Sequence, residues 1–383
     1  MKILLMGEYS SLHSTLAEGL RTLGHQVTVV SNGDFWKDYP RDVDVSRPEG
    51  HFGGLRLLAR VVRLLPTWRG YDVVQLVNPM FLELRAERLF SIYRYLRHHN
   101  RCIVLGAFGI DWYWVHTCST EMPLRYSDFN FGKTLRTDKP AVREQADWIG
   151  TAKERLNKTI AEDCDAIVTC LYEYDVCYRP HFPQKTHFIT LPIKITPSYN
   201  PSNPISPISP ISPITPISPI SPIKLFIGIS RGRSAYKGTD IMLEAAQAIA
   251  KRYPDRIKVV KAEGVPYHDY QRLMEGSDAL LDQLYSYTPA MNALLAMSKG
   301  IICIGGGEPE NYEIINEHEL HPIINVEPNY ESVCQQLELL AQHPEDVPQL
   351  KQQSREYVAR HHDHVKVARQ YEQLYLSLLN QPT

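Results

Sequence analysis

Short apolar runs alternate with longer amphipathic stretches along most of the chain. The first apolar run, at 2–6, is followed by a polar loop, an amphipathic stretch at 15–23 and a second apolar run at 26–31. The same alternation resumes after residue 224, with predicted helices at 267–274, 330–341 and 347–379. The stretch 141–164 is also predicted to be helical, and 113–140 to be irregular. Strand, helix and strand at this spacing are typical of right-handed parallel crossovers. The pattern therefore predicts an α/β fold with two doubly wound, Rossmann-like domains that face a cleft.

A proline-rich repeat interrupts this alternation. It reads PISPISPISPITPISPISPI, and proline at every third position favours an extended polyproline II conformation. Two interpretations remain open: a docking tract for a proline-binding partner, or a repeat expansion tolerated in an exposed connection. In both cases the repeat marks a boundary. The predicted organisation is a domain over 1–197, a linker over 198–224, a domain over 225–365 and a helix over 366–383 that can cross back to the first domain.

Composition narrows the class of protein. The chain has 383 residues, a length that suggests about two domains, and a net charge of −2, which gives no indication of nucleic-acid binding. The longest apolar runs are strand-sized and shorter than the roughly 20 residues of a membrane span. The first residues do not resemble a signal peptide, and the seven cysteines are scattered. We expect a cytoplasmic protein with reduced thiols.

One stretch combines regular structure with candidate chemistry. A predicted strand at 279–284 leads to a helix that Thr288 would cap, with Pro289 at its first position and Gly300 at its end. An apolar strand and a glycine-rich turn follow at 301–307. The start of such a helix, near the carboxyl ends of strands, suits a phosphate group.

A second phosphate-seeking feature lies just after the linker. Arg231, Arg233 and Lys237 occupy a loop between a predicted strand and the helix at 239–252. Their cations and the helix start can both meet a diphosphate. The two features together predict a nucleotide diphosphate as ligand, and no cluster of acidic residues indicates a metal.

The first loop of the chain is the candidate acceptor side. Glu8, Ser10, Ser11 and His13 follow the first strand, where ligands of such sheets collect. His13 is either a general base or a histidine that faces solvent or the sheet. Asp111 follows a later strand and is either a functional carboxylate or the cap of the next turn.

The run GLRLLARVVRLLPTWR at 54–69 carries a basic stripe. Arg56, Arg60 and Arg63 recur at helical spacing among leucines and valines. The pattern indicates either a basic amphipathic helix on an anionic membrane surface or a helix on the sheet whose arginines face water.

Several short motifs resemble those of one known class. The lysine–glycine pair at 237–238, the AMSKG and GGEPE sequences and the stretch GLRTLGHQVTVVS resemble sugar-nucleotide glycosyltransferases of the GT-B type. The resemblance is closest to the group-1 class that builds bacterial surface polysaccharides. This resemblance covers nearly the whole chain outside the proline repeat, so the chain resembles a divergent member of that class.

The resemblance implies roles for particular residues. In that class the C-terminal domain holds the nucleotide diphosphate sugar and the N-terminal domain holds the acceptor. Lys237 with Arg231 or Arg233 would neutralise the diphosphate, no metal cofactor would be needed, and His13 or Asp111 would be catalytic. The remaining residues expected at the donor site are Tyr287, Thr288, Asn292, Gly306, Gly307, Glu308 and Glu310.

The chain also departs from the class. Tyr287 and Leu295 stand where the class carries two glutamates, and Phe108 replaces the histidine of an H-G-x-D motif whose aspartate is Asp111. The leading hypothesis is a glycosyltransferase acting on a glycan or lipid-linked glycan at the cytoplasmic face of a membrane. The alternatives are a non-catalytic GT-B-like protein that binds nucleotide or glycan, and a sugar-nucleotide epimerase.

Overall fold

The computed structural model describes residues 1–195, 221–229, 232 and 234–380, without the side chain of residue 267. The chain forms two units, of which unit 1 is Met1–Pro192 with His362–Thr383 and unit 2 is Ile193–His361. The proline repeat lies outside the described residues, as do both candidate arginines, Arg231 and Arg233.

Unit 1 is built on a parallel sheet. Its strands are β1 Lys2–Met6, β2 Gln26–Ser31, β3 Val43–Asp44, β4 Val73–Leu76, β5 Cys102–Ala107, β8 Ala166–Thr169 and β9 Thr186–Phe188, with a small hairpin of β6 Asn130–Phe131 and β7 Thr134–Leu135. Its first helices are α1 Leu12–Thr22, α2 Gly53–Leu64, α3 Ala86–His99, α4 Trp112–Thr120, α5 Lys139–Trp148, α6 Ala152–Asp163 and α7 Tyr172–Tyr178.

The sheet of unit 1 has the strand order β3-β2-β1-β4-β5-β8-β9. Strand β1 is central, and its Ile3 pairs with Val27 on one side and Val73 on the other. The chain winds outward from β1 in one direction and then in the other. The point where the direction reverses, between β1 and β4, is where open α/β sheets bind their ligands.

Unit 2 repeats the design with fewer strands. Its strands are β10 Ile223–Ile229, β11 Ile257–Glu263, β12 Ala279–Leu281, β13 Ile302–Gly305 and β14 Ile324–Asn325, in the order β11-β10-β12-β13-β14. Its helices are α8 Ser234–Lys237, α9 Thr239–Arg252, α10 Tyr267–Met274, α11 Met291–Ser298, α12 Pro309–Ile314, α13 Tyr330–Gln342 and α14 Val347–His361. The winding reverses between β10 and β12, which predicts a ligand site at their carboxyl ends.

The hydrophobic pattern predicted most of these elements. Strands β1 and β2 and helices α9 and α10 have the predicted bounds. Two predictions of a single long helix were wrong. The stretch 141–164 is two helices, because Gly150 adopts a left-handed φ of 74° and Thr151 caps a new start. The segment 113–140, predicted irregular, contains most of α4 and the β6–β7 hairpin.

The second break redirects the end of the chain. The predicted helix 347–379 ends at His361, and a new helix, α15 His364–Leu379, begins where the Asp363 side chain accepts hydrogen bonds from two backbone N–H groups. Helix α15 packs on α1 so closely that a Cβ at Gly19 would overlap the His364 carbonyl oxygen. The last helix is therefore part of unit 1.

Candidate functional site

Polar side chains of unit 2 converge where β10 and β12 end. Lys237 closes α8, after β10, and Asp282 directly follows β12. Burial raises the pKa of the Asp282 carboxyl, while the positive charge of Lys237 and a hydrogen bond from Asn292 act in the opposite direction. The Asn292 amide also donates to the Tyr270 hydroxyl, at 2.9 Å. The candidate donor residues Lys237 and Asn292 thus meet around one carboxylate.

The start of α11 differs from the sequence prediction. The helix begins at Met291 with Ala290 at the N-cap position, so Thr288 is not its cap and Pro289 is not its first residue. The Thr288 carbonyl instead accepts a hydrogen bond from the Ser286 hydroxyl at 2.7 Å. No side chain of the described residues caps α11, so its first N–H groups are left for another acceptor. The helix end was predicted correctly, since Gly300 has a φ of 78°.

The glycine-rich turn after β13 packs against the segment 286–288. A Cβ at Gly306 would overlap the Ser286 carbonyl oxygen, and a Cβ at Gly307 would lie 2.7 Å from Ile323 Cγ2. The Glu308 N–H donates to the Tyr287 carbonyl at 3.1 Å. Close backbone packing therefore requires glycine at these two positions, whether or not they contact a ligand.

The remaining donor candidates differ in exposure. Tyr287 is 1% exposed, Thr288 3% and Glu308 7%, whereas Glu310, in the first turn of α12, is partly exposed. The Tyr287 side chain is packed inside the protein, so we expect this segment to shape the site mainly through its backbone.

A cavity of about 310 Å³ lies in unit 1, at the carboxyl ends of β1 and β4. Gly7, Glu8 and Tyr9 line it after β1, and Val77 and Asn78 line it after β4. Its volume is in the range of roughly 300–1,000 Å³ typical of ligand pockets, and it sits where the winding of the sheet reverses. This is the candidate acceptor pocket.

Glu8 is a buried titratable group that lines this pocket. Its carboxylate accepts hydrogen bonds from the His13 N–H at 3.1 Å and the Ser14 N–H at 2.8 Å, so it caps α1. Burial nevertheless raises its pKa to about 7, while those hydrogen bonds act to lower it. A carboxylate with a pKa near the working pH can exchange a proton with a bound hydroxyl.

The neighbouring serines shape the loop. Ser10 and Ser11 have φ values of 51° and 66°, in the left-handed region that side chains rarely adopt. Asp34 holds Ser10 by accepting its N–H at 2.9 Å. The strained loop brings Glu8 under the start of α1.

His13 is placed away from solvent. It is fully buried, and its Nδ1 lies 2.8 Å from the Gly7 carbonyl oxygen, to which it donates. Its Nε2 accepts from Gln75, whose Oε1 accepts from the Tyr375 hydroxyl of α15 at 2.5 Å. Burial lowers the pKa of His13 to about 4. Both ring nitrogens are engaged, so the geometry favours the structural interpretation over the general base.

Asp111 is also fully buried. One carboxylate oxygen accepts from the Trp114 N–H at 2.9 Å, which caps α4, and the other accepts from the Tyr178 hydroxyl at 2.6 Å. Burial raises its pKa to about 7 despite these hydrogen bonds. The geometry favours the capping alternative over a catalytic one.

Asp111 makes stability depend on pH. The folded state keeps its proton up to about pH 7, whereas the unfolded chain loses it near pH 3.8, so unfolding becomes easier as pH rises between these values. We expect Asp111→Asn to remove a slope of up to about 1.4 kcal/mol per pH unit. Chemical denaturation from pH 5 to 8 measures the free energy of unfolding of the wild type and of the variant. His13 contributes with the opposite sign in both proteins, so its contribution cancels in the difference. If the two free energies change with pH in parallel, the raised pKa of Asp111 is contradicted.

The described part of the chain contains neither a candidate metal site nor a candidate membrane-spanning helix. No group of three or more His, Cys, Asp or Glu side chains in that part of the chain is arranged to hold a metal ion. None of the helices in the described ranges combines the length and the apolar character that crossing a membrane requires.

The two units define a GT-B fold. No family model matches the sequence, and no curated protein matches it. Solved structures do: Anabaena HepE in complex with UDP-glucose (13% identity, 98% of this chain, 100% of that one, TM-score 0.59) and sucrose-phosphate synthase of Thermosynechococcus elongatus (12% identity, 99% of each chain, TM-score 0.60). WaaG, a glycosyltransferase of lipopolysaccharide biosynthesis, matches at 14% identity over 98% of this chain and 99% of that one, with a TM-score of 0.53. The predicted resemblance to GT-B glycosyltransferases is confirmed at the level of fold.

Sequence reasoning missed several residues of both sites. Asp282 could have been found as a charged residue that directly follows a buried strand. Asn78, a polar residue two positions after the end of β4, has a similar signal in unit 1. Trp148 ends α5 and Glu83 lies in the loop between β4 and α3, and no local pattern marks them as lining one pocket.

Proposed function

We propose that this protein is a glycosyltransferase that moves a sugar from a nucleotide diphosphate sugar to a glycan or lipid-linked glycan in surface polysaccharide synthesis. The observation that carries the proposal is the convergence of Lys237, Asp282 and the uncapped start of α11 at the switch point of unit 2. The Lys237 ammonium and the N–H groups at the start of α11 suit a diphosphate, and the Asp282 carboxyl can accept hydrogen bonds from hydroxyl groups of the attached sugar. Complexes of HepE with UDP and with UDP-glucose support this choice of ligand class.

In the proposed reaction a hydroxyl oxygen of the acceptor attacks the anomeric carbon of the donor sugar. The bond from that carbon to the diphosphate oxygen breaks, and the nucleoside diphosphate leaves with the electron pair. Lys237 stabilises the charge that develops on the leaving diphosphate. Glu8, which lines the acceptor pocket, takes the hydroxyl proton, because both ring nitrogens of His13 are already engaged in hydrogen bonds. Arg231 and Arg233 remain candidates for the diphosphate.

The test begins with thermal unfolding in the presence of a panel of nucleotide diphosphate sugars. A ligand at about 100 times its dissociation constant should stabilise the protein by roughly 2.7 kcal/mol. Release of nucleoside diphosphate on adding a glycan acceptor then demonstrates transfer. Absence of stabilisation by every nucleotide sugar would reject the proposal.

A non-catalytic nucleotide- or glycan-binding protein is the second candidate. It is favoured by Tyr287 and Leu295, which stand where related enzymes carry glutamates, and by the burial of Tyr287. Stabilisation by a nucleotide sugar without transfer or hydrolysis would identify this alternative. Interconversion of two nucleotide sugars without an acceptor would identify an epimerase.

We further propose that helix α2 makes peripheral contact with an anionic membrane surface, at the inner face of the membrane. Phe52 is 66% exposed, Leu55 62% and Val62 56%, a high exposure for large apolar side chains. Arg56, Arg60 and Arg63 are exposed on the same helix. Apolar side chains beside cations are typical of helices that lie in a membrane interface.

Changing Arg56, Arg60 and Arg63 together to Gln should weaken binding to anionic vesicles by up to about 100-fold, since each cation near such a surface contributes about 1 kcal/mol. Arg60 contributes least, because it lies 3.8 Å from Asp44. Sedimentation with vesicles measures the change. The matched control changes Arg85, Arg88 and Arg94, exposed in and next to α3. Equal pelleting of the two triple variants would reject a role for α2.

A further inference from the structure

The acceptor pocket of unit 1 has an aromatic and acidic lining. Its aromatic side chains include Tyr9, Phe81 and Trp148. Besides Glu8, three carboxylates line it: Glu83, Glu144 and Asp147. Of the described residues that line the pocket, Lys153 is the one cation. The lining thus contains more carboxyl groups than cations.

The charge of Lys153 is already balanced. Its ammonium forms an ion pair with Asp147 and lies 5.1 Å from the centre of the Trp148 ring. A phosphate entering the pocket would compete with Asp147 for this cation and would lie close to the carboxyl group of Glu83. The pocket is therefore the reverse of a phosphate site, which needs convergent cations or N–H groups.

The same lining suits hydroxyl or ammonium groups. An ionised carboxylate only accepts hydrogen bonds, and sugar hydroxyls and protonated amines donate them. Glu83 uses one oxygen to accept the Arg47 N–H at 3.2 Å and retains acceptor capacity. The aromatic faces offer apolar surface to the C–H groups of a sugar ring and attract an ammonium group.

Building on the glycosyltransferase function proposed above, we infer that this pocket binds the acceptor through a sugar residue that carries no phosphate. The reacting hydroxyl belongs to that sugar, and its proton passes to Glu8 as the new glycosidic bond forms. The protein therefore lengthens a glycan that already exists. A separate reaction, the transfer of a first sugar or sugar phosphate onto a carrier, must supply its acceptor.

The inference predicts an order of affinities. Methyl glycosides of neutral hexoses and of hexosamines should bind the full chain, and the 6-phosphates of the same sugars should bind at least about tenfold more weakly, because like charges repel in a partly desolvated pocket. Ligand-observed NMR titration measures these affinities. Tighter or equal binding of the phosphates, or binding of no glycoside, overturns the inference.

Variants assign the effect to the pocket. Glu83→Gln and Glu144→Gln should each narrow the discrimination against the phosphates severalfold, whereas Glu87→Gln, on an exposed position of α3, should leave it unchanged. Stabilisation by a nucleotide sugar reports whether each variant is folded. Unchanged discrimination in both pocket variants overturns the inference.

The two proposals fail in different ways. If nucleotide sugars bind and transfer occurs but phosphorylated acceptors are preferred, the acceptor inference is wrong and the proposed function stands. If no nucleotide sugar binds, the proposed function is wrong, and the glycoside titration still tests the pocket of unit 1 directly.

Discussion

Replacing Glu8 by glutamine is expected to lower the rate of glycosyl transfer by about 10² to 10⁴, the usual contribution of a positioned general base. The carboxylate must be ionised to take the acceptor proton, and burial raises its pKa to about 7. The wild-type rate should therefore rise with pH up to about 7 and level off above it. The pH profile of kcat/KM measures both the rise below pH 7 and the constant rate above it.

Two controls separate chemistry from folding. Glu8→Gln loses one of the two backbone hydrogen bonds, because an amide nitrogen cannot accept, but it avoids the cost of burying a charge at pH 8, so we expect little net change in stability. It should also bind the nucleotide sugar as the wild type does. If the Glu8→Gln variant keeps most of its activity, and its rate still rises with pH up to about 7, Glu8 is excluded as the base.

Lys237→Ala should weaken binding of the nucleotide sugar by about 10- to 100-fold, because an ionic hydrogen bond to phosphate contributes about 1.5–3 kcal/mol. The loss in kcat should be at least as large, since the charge on the diphosphate grows as the sugar leaves. Titration calorimetry with intact donor and steady-state kinetics measure the two effects.

The matched control for this variant is Lys251→Ala, an exposed lysine on α9 of the same unit. Asp282 calls for a second control, because removing Lys237 leaves its partly buried carboxylate without a compensating charge. The double variant Lys237→Ala/Asp282→Asn should recover thermal stability but not affinity for the donor. Full affinity in Lys237→Ala alone would remove Lys237 from the diphosphate site.

The sequence was most informative where local pattern decides structure. Alternating apolar runs predicted β1, β2 and α9 with their bounds, because a buried strand and an amphipathic helix each impose a period on the chain. It failed at breaks inside helical patterns. Gly150 ends one helix through its backbone conformation, and Asp363 starts another through its side chain. Both breaks lie within stretches whose amphipathic pattern is compatible with a continuous helix.

The sequence indicated where candidate side chains lie along the fold, but not how they are oriented. The loops after β1 and β12 were identified because parallel strands present their carboxyl ends at one edge. His13 lies in the first turn of α1 rather than in the loop, Asp111 lies directly before α4, and both side chains turn inward and are fully buried. The partners that hold them, Gln75 and Tyr178, are far away in the sequence. The orientation of each side chain depends on these tertiary partners, which no local sequence pattern reveals.

The helix α15 affects how the protein is made in the cell. Synthesis proceeds from the N-terminus at about 5–20 residues per second, and domains generally fold as they emerge. Unit 1 departs from this order, because the Tyr375 hydroxyl must reach Gln75 and α15 must close on Gly19 before its core is complete. Unit 2 can fold first, although it is encoded later. A nascent chain stalled before residue 362 would expose the face of α1 that α15 normally covers, and would offer chaperones an apolar surface.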